Sequence, residues 1–334
     1  MLLDGRDPGA IQQAAQALAD GDLLGLPTET VYGLAADASN DAAVAKIFAA
    51  KGRPSDHPLI VHIAPDGPGV AHFASQVPVF AQQLMDAFWP GPLTLILPRR
   101  AGVGAAAAGG QDSIGLRCPS HPVAQAVFRA AAALGVAGVA APSANKFGRV
   151  SPTTATHVQS EFDDGLLVLD GGPCTMGIES TIVDCTRGVP VLLRPGSISR
   201  DQIEQACGQP LRSKEDLAAP DPRASGTLEA HYAPSAKVRL MDTKVLQTAL
   251  DLLGQVQDGV PGSIGVYARS ALRNHSLQAL LRSMPDDAAA AAQELFAALR
   301  NFDTQGVRLI WIETPPDTPE WEGVRDRLQR ASAA

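Results

Sequence analysis

Hydrophobic positions in the first 200 residues alternate between helical spacing and short apolar runs. Asp7 and Pro8 precede apolar residues at helical spacing that end before Gly21, which predicts a capped helix with a glycine stop. Helices are also predicted after Asn40 and from Pro78 to Phe88. Apolar strands are predicted over residues 22–26, 58–64, 93–97, 114–117, 136–141, 166–170, 181–185 and 189–194. Many strands with few helices between them indicate an α/β fold, a large mixed twisted sheet with flanking helices.

The pattern is interrupted at residues 208–236, which contain four prolines and few apolar positions, as is typical of a linker. It then restarts with strands predicted at 237–241, 263–268 and 307–312, and helices at 243–253, near 271–282, at 287–300 and from 319. This regular alternation indicates a smaller C-terminal α/β three-layer, Rossmann-like domain with parallel strands. We therefore predict domains at 1–207 and 237–334, joined by a linker at 208–236.

Composition and charge narrow the possible classes of protein. The chain is 45% hydrophobic and 19% charged, which is typical of a globular protein. A net charge of −8 argues against a surface that binds nucleic acid throughout. The four cysteines form no CxxC pair, so we expect reduced thiols without a disulfide framework. The N-terminal residues lack the pattern of a signal peptide and no apolar run is long enough to span a membrane, so we expect a cytosolic protein.

Generic catalytic motifs are mostly excluded. The sequence contains no Gly-Lys pair and therefore no Walker-type phosphate loop. A GxGxxA match at residues 102–107 lacks the other features of a dinucleotide-binding site. An SxxK match at 143–146 lacks the companion motifs of the serine acyl-enzymes. The histidines and cysteines lack the spacing of a structural zinc site.

Polar residues cluster instead where predicted apolar segments end. Thr28 and Thr30 offer two hydroxyl groups after the strand at 22–26, although the pattern alone favours an ordinary turn capped by threonines. Lys51 and Arg53 form either a solvated helix terminus or a phosphate clamp. Arg117 ends a buried strand and needs an anionic partner, which is either a structural acid or a substrate carboxylate.

His62 lies within an apolar strand, as a core histidine or as a binding residue. Further hydroxyl groups and a cation follow predicted strands at Ser143, Ser151, Ser180 and Arg194. Side chains at the strand ends of one sheet converge on a single crevice, where α/β folds bind ligands. Many cations and hydroxyl groups, with few acid–base residues, indicate two anionic substrates and displacement at phosphorus.

The segments that carry these clusters resemble those of YrdC-like proteins, and the trailing domain resembles their longer, Sua-type branch. The matching segments are Pro27–Leu34, Lys51–Pro54, Trp89–Thr94, Ile114–Arg117, Pro142–Asn145 with Ser151–Thr153, Ser180–Asp184, Arg194–Gly196 and His231–Pro234. They occur in the family's order and cover nearly the whole chain.

The resemblance implies a nucleotidyltransferase that makes threonylcarbamoyl-adenylate and pyrophosphate from L-threonine, bicarbonate and ATP. A tRNA threonylcarbamoyltransferase complex would use the product. Carried over by position, the threonine-binding residues would be Thr30, His62, Arg117, Ala141 and Ser180. The ATP-binding residues would be Arg53, His57, Ser113, Ser143, Ser151, Arg194 and Tyr232. Lys51 and Arg53 would be catalytic, Mg²⁺ would accompany ATP, and no residue is assigned as a metal ligand.

Two departures from the family pattern affect the ATP site. The linker lacks the usual Ser-Pro-Gly run before His231 and Tyr232, with Glu229 replacing positive charge, and His57 stands where asparagine is common. A different function proposed for some YrdC-like proteins, double-stranded RNA binding or ribosome association, would need an extended basic face. The net charge of −8 makes that alternative less favourable.

Overall fold

A computed structural model describes residues 1–162, 164–216, 224, 231–256 and 260–334, apart from the side chain of residue 215. The chain divides into two compact units. The first consists of Met1–Phe147 and Ser151–Thr227, and the second of Gly148–Val150 and Leu228–Ala334. Much of the predicted linker, at 217–223 and 225–230, lies outside the described residues.

The strands of the first unit are β1 (Leu2–Asp4), β2 (Leu24–Leu26), β3 (Gly33–Asp37), β4 (Ile60–His62), β5 (Leu93–Pro98), β6 (Ser113–Arg117), β7 (Val139–Ala140), β8 (Leu167–Asp170), β9 (Thr181–Asp184), β10 (Val191–Arg194) and β11 (Arg212–Ser213). Its α-helices are α1 (Pro8–Ala19), α2 (Asp41–Lys51), α3 (Gly69–Phe73), α4 (Val79–Phe88), α5 (Pro122–Ala133), α6 (Ala155–Gln159) and α7 (Arg200–Cys207).

The described strands of this unit form one sheet in the order β1-β8-β2-β3-β7-β4-β6-β5-β9-β10-β11. The sheet contains both parallel pairs, such as β4 with β6, and antiparallel pairs, such as β5 with β6. The predicted large mixed sheet is confirmed. Because antiparallel neighbours place a strand start beside a strand end, residues from both kinds of terminus lie along one edge.

Capping residues set the helix boundaries that the sequence predicted. The Asp7 side chain accepts a hydrogen bond from the backbone N–H of Gly9 at the start of α1. Pro8, in the first turn, has no backbone N–H that would need an acceptor. Asn40 accepts from two backbone N–H groups of α2, which ends where Gly52 adopts a φ of 64°. This left-handed residue reverses the chain immediately after Lys51.

The helix α5 was not predicted. His121 caps it, Pro122 occupies its first turn, and its buried residues Val123, Ala124, Val127, Phe128 and Ala131 follow helical spacing, so the signal was present in the sequence and was missed. Its buried face packs on α1 through small side chains such as Ala14 and Ala131. This packing stabilises α5 in the folded protein, since a helix of 12 residues is marginal on its own.

The second unit contains a four-stranded parallel sheet in the order β12-β15-β13-β14, which confirms the predicted α/β fold with parallel strands. Its described elements are β12 (Lys237–Met241), α8 (Thr243–Leu253), β13 (Ile264–Ala268), β14 (Ala279–Ser283), α9 (Ala288–Thr304), β15 (Leu309–Glu313) and α10 (Glu322–Ser332). Short 3₁₀ segments occur at Lys214–Asp216 and Pro319–Trp321.

The helix predicted near residues 271–282 is wrong. Asn274 accepts from the backbone N–H of Ser276 and donates to the Ala279 carbonyl, so this region forms a turn. Ala279–Ser283 then pairs in parallel with Ile264–Ala268 as an edge strand. Strand pairing overrides the apolar spacing that resembled a helix.

All four cysteines are free and buried. No helix among the described residues is long and apolar enough to cross a membrane.

Candidate active site

The segment after β2 forms a turn in which the threonine hydroxyl groups face each other. Thr28 Oγ1 accepts from the backbone N–H of Thr30 and Val31, and lies 2.9 Å from Thr30 Oγ1. The two interpretations of the sequence are thus compatible, since a threonine-capped turn also places both hydroxyl groups together. Backbone bonds from Leu34 to the Pro142 carbonyl and from Ala144 to the Tyr32 carbonyl join this segment to the loop after β7.

Arg117 is buried at the end of β6 and is held by three groups. Its Nη1 donates to Thr30 Oγ1 at 2.8 Å, its Nη2 to Glu29 Oε1 at 2.7 Å, and its Nε to the Gly91 carbonyl at 3.2 Å. Burial alone would raise the pKa of Glu29, but the charge and hydrogen bond of Arg117 hold that pKa below its ordinary value. Glu29 is therefore the anionic partner that the buried arginine requires.

His62 is the register partner of Arg117 across the parallel pair β4–β6. Parallel partners project from the same face of a sheet, so both side chains are directed to one side. Burial, reinforced by the charge of Arg117, lowers the pKa of His62 well below its ordinary value. The imidazole is therefore neutral at physiological pH, and its Nδ1 has no hydrogen-bond partner among the described residues.

A second polar group lies where β9 begins. Ser180 Oγ lies 2.8 Å from Thr94 Oγ1, and Arg194 donates to the Ser180 carbonyl through Nε at 3.0 Å and Nη2 at 2.9 Å. Gly196 permits this contact, since a Cβ there would lie 2.5 Å from the backbone nitrogen of Thr181. The Arg-Pro-Gly sequence thus lets the chain after β10 pass close to the start of β9.

Lys51, the last residue of α2, is buried and donates from Nζ to the carbonyls of Ser143, at 2.5 Å, and Asn145. Burial, with a contribution from nearby Arg53, lowers the pKa of Lys51 well below its ordinary value. Arg53 donates to the Pro58 carbonyl at 2.8 Å and lies over the Phe147 ring, 5.6 Å from its centre. Both cations therefore face the loop that follows β7.

That loop and its continuation carry the other predicted ATP residues of the first unit. Ser143 is half-buried and forms an isolated bridge with Gly33, while Ser151 is fully buried and donates to Glu179 Oε1. The half-buried His57 packs edge-on to Phe147, with ring centres 5.5 Å apart. Ala141, predicted to contact threonine, is buried and donates its N–H to the Ile60 carbonyl.

Ser113 begins β6 and lines a small cavity on the sheet face. Ala224, from within the predicted linker, lines the same cavity and packs against the isoleucines of that face, Ile60, Ile96 and Ile182. One described residue of the linker region therefore covers the sheet beside a predicted nucleotide contact.

Tyr232 belongs to the second unit. Its ring stacks on Phe296, with centres 5.5 Å apart, and lies beside Arg327. Among the described residues, Tyr232 is the single non-glycine residue with a positive φ, 61°. Such a backbone is costly for an aromatic residue and is typical of functional positions.

The structure thus brings Thr30, His62, Arg117, Ser180 and Arg194 to strand ends of one sheet, with Lys51 and Arg53 on the loop after β7. Sequence reasoning assigned no role to Glu29, Thr94 and Glu179, which hold Arg117, Ser180 and Ser151 respectively. Glu29 and Glu179 lie next to predicted site residues, and buried acids at such positions are the signal that could have identified them. Among the described residues, no group of three or more His, Cys, Asp or Glu could hold a metal ion.

Comparison with known protein families adds to this geometry. Residues 16–196 match a family model described as "Telomere recombination", which joins the Sua5, YciO and YrdC proteins. Residues 198–333 match the model described as "Threonylcarbamoyl-AMP synthase, C-terminal domain". The chain belongs to the Sua5-type threonylcarbamoyl-AMP synthase family.

Individual relatives match almost end to end. Threonylcarbamoyl-AMP synthase from Bacillus subtilis is 37% identical over 99% of this chain and 94% of its own length. The same enzyme from Pyrococcus abyssi is 37% identical, over 96% of this chain and 94% of its own length. A crystal structure of P. abyssi Sua5 complexed with L-threonine has a TM-score of 0.87 and 35% identity, and covers 99% of this chain and 97% of that one. The family of the protein and its fold are therefore shown.

Proposed function

We propose that the protein is an L-threonylcarbamoyladenylate synthase, a nucleotidyltransferase that joins L-threonine, bicarbonate and ATP and releases pyrophosphate. The observation that carries the proposal is the buried Arg117 beside Thr30 and His62 at the sheet edge, with Arg194 fixed on Ser180 nearby. Such an arrangement provides one buried arginine for a substrate carboxylate and a second for phosphate. The relatives of that name, and the L-threonine bound to P. abyssi Sua5, support the assignment.

In this proposal threonine binds to Thr30, His62, Arg117, Ala141 and Ser180. Arg117 pairs with the carboxylate, since a guanidinium presents two parallel N–H groups to a planar anion. The neutral imidazole of His62 supports a polar but uncharged contact.

ATP binds to Arg53, His57, Ser113, Ser143, Ser151, Arg194 and Tyr232. Arg53 and Arg194 offset the charge of the transferring and leaving phosphates, and such fixed cations stabilise the transition state of phosphoryl chemistry. Lys51 fixes the Ser143 and Asn145 carbonyls and so shapes the loop against which the nucleotide lies. The positive φ of Tyr232 supports its role as a nucleotide contact.

The chemistry follows from this arrangement. The threonine ammonium group first loses a proton, and the free amine then combines with bicarbonate to give a carbamate and water. A carbamate oxygen then forms a bond to the α-phosphorus of ATP as the bond to pyrophosphate breaks. An enclosed site protects the carbamate and the mixed anhydride from water.

Mg²⁺ would accompany the nucleotide. Magnesium in such sites takes one or two carboxylates with phosphate oxygens and water, not a cage of protein ligands. The residues present fit that requirement, because Glu179 is a buried carboxylate bonded to the predicted ATP residue Ser151. The ion would neutralise phosphate charge. We further propose that the product passes, in the cytoplasm, to a tRNA threonylcarbamoyltransferase complex.

The deciding assay measures pyrophosphate release with each substrate omitted in turn. We expect release from ATP to require both threonine and bicarbonate, and to stop when magnesium is chelated with EDTA. Release that continues without threonine or without bicarbonate would show that the chain activates a different acceptor.

A further inference from the structure

The Glu29 carboxylate has one strong donor, Arg117, and the backbone N–H groups of Glu29 and Ser120 act on it more weakly. Oε1 accepts from Arg117 Nη2 at 2.7 Å, whereas Oε2 is buried and has no hydrogen-bond partner among the described residues. The residue is 4% exposed. A buried charged oxygen without a donor is costly, and in native proteins such a group calls for an explanation.

Arg117 shows the complementary property. A guanidinium carries five N–H groups, and among the described residues three of them are engaged, by Gly91, Thr30 and Glu29. Two remain for a ligand. A carboxylate is the anion whose geometry matches two guanidinium donors.

The charges of the pocket then indicate what else must bind. Arg117 and Glu29 neutralise each other, and His62 is neutral because its pKa is lowered. A bound carboxylate alone would leave two buried negative charges facing one positive charge, which is unfavourable in a medium of low dielectric. A ligand that brings an ammonium group with its carboxylate restores neutrality.

We infer that Glu29 is a specificity-determining residue whose Oε2 accepts a hydrogen bond from the ammonium group of the amino-acid substrate, while Arg117 binds its carboxylate. The inference rests on the proposed function and deepens it. Glu29 and Arg117 together form a site for a zwitterion, which selects an α-amino acid over a hydroxy acid of the same shape. The pair also fixes the amine on one side of the pocket before it reacts.

The test compares two ligands on two proteins by isothermal titration calorimetry. The ligands are L-threonine and (R)-3-hydroxybutanoate, which is threonine without its amino group, and the proteins are wild type and Glu29→Gln. We expect the variant to lose about 10- to 100-fold in threonine affinity, the effect of one charge-assisted hydrogen bond. Its affinity for (R)-3-hydroxybutanoate should not fall and should rise, because the variant removes the second negative charge that a lone carboxylate would face beside Arg117.

Equal losses for the two ligands would overturn the inference, since they would mean that Glu29 only holds Arg117 in place. Wild-type protein alone provides a second measurement if the variant folds poorly, because equal affinity for both ligands would also overturn it. Glu320→Gln, at an exposed position of the second unit, is the control and should bind both ligands as wild type does. Wild type that binds no threonine would instead overturn the proposed function.

Discussion

Two buried glutamates, one in each unit, lie beside strand ends and differ in how fully they are satisfied. Glu313, at the end of β15, accepts from the backbone N–H groups of Arg269 and Ser270 and from the hydroxyl groups of Thr243 and Ser270. Both of its oxygens are engaged. Glu29 accepts from Arg117 on Oε1, whereas among the described residues no donor makes a hydrogen bond of ordinary length and angle to its Oε2.

The difference separates a structural role from a binding role. The Glu313 carboxylate joins the start of α8 to the turn after β13, where α/β domains commonly bind ligands, and its own hydrogen bonds complete that edge. Burial would raise its pKa, but the donors from Ser270, Thr243 and Arg269 hold that pKa below its ordinary value. A carboxylate whose two oxygens both accept hydrogen bonds needs no ligand. A carboxylate with one oxygen left without a hydrogen bond, beside a buried arginine, does need one.

The largest expected effect is that of Arg117→Ala. The variant leaves Glu29 buried without its cation, so the free energy of unfolding should fall by about 3–5 kcal/mol. Threonine affinity should fall by about 100-fold or more, because a bidentate partner of a carboxylate is lost. Titration of each substrate measures both affinities, and ATP binding should change far less. Equal losses for threonine and ATP would contradict the role of Arg117.

Glu313→Gln should act on stability alone. The variant replaces one carboxylate oxygen by an NH2 group, whose N–H donors would then face the N–H and O–H donors that surround Glu313. This should cost about 2–3 kcal/mol of unfolding free energy in the second unit. Urea denaturation followed by hydrogen exchange measures the loss, while threonine affinity should stay within a factor of about two. Glu294→Gln is the control, since its partly exposed pair with Arg282 contributes at most about 1 kcal/mol. A large loss of threonine affinity in Glu313→Gln would contradict the purely structural role of Glu313.

Lys51→Met tests the loop after β7. Loss of the two hydrogen bonds to the Ser143 and Asn145 carbonyls should weaken ATP binding about 10-fold and threonine binding less. Lys46→Met is a matched control on the same helix, because Lys46 is half exposed and pairs with Asp22 at the surface. Lys46→Met and Lys51→Met should therefore differ in ATP affinity, and similar affinities would exclude the proposed loop function of Lys51.

The smallest effect is a pH dependence of the first unit. The pKa of His62 lies well below its ordinary value of 6.5 in the folded protein, so the unfolded chain binds a proton that the folded protein does not. Stability should therefore decrease as the pH falls below 6.5, by up to about 1.4 kcal/mol per pH unit. His62→Gln should flatten this slope in denaturation curves. Burial lowers the pKa of His121 as well, so part of the slope should remain in His62→Gln. An entirely unchanged slope would locate the effect elsewhere.

Much of the fold could be predicted because its signals are local. Asp7, Asn40 and Gly52 act on backbone groups within a few residues, so the ends of α1 and α2 follow from neighbouring sequence. The edge strand β14 could not be predicted in this way, because its pairing with β13 joins residues 15 positions apart, beyond the range of neighbouring capping groups.

By itself, the sequence determined that Arg117 would be buried and would need an anion, because an apolar strand around a cation leaves no other stable arrangement. Only the tertiary structure decided which anion. Glu29 is 88 residues away from Arg117 in the chain, and their contact depends on the order in which β4, β6 and β7 pair. Strand order is set by the free energy of the whole sheet rather than by any short segment, so the half-satisfied Glu29 became visible only in the folded molecule.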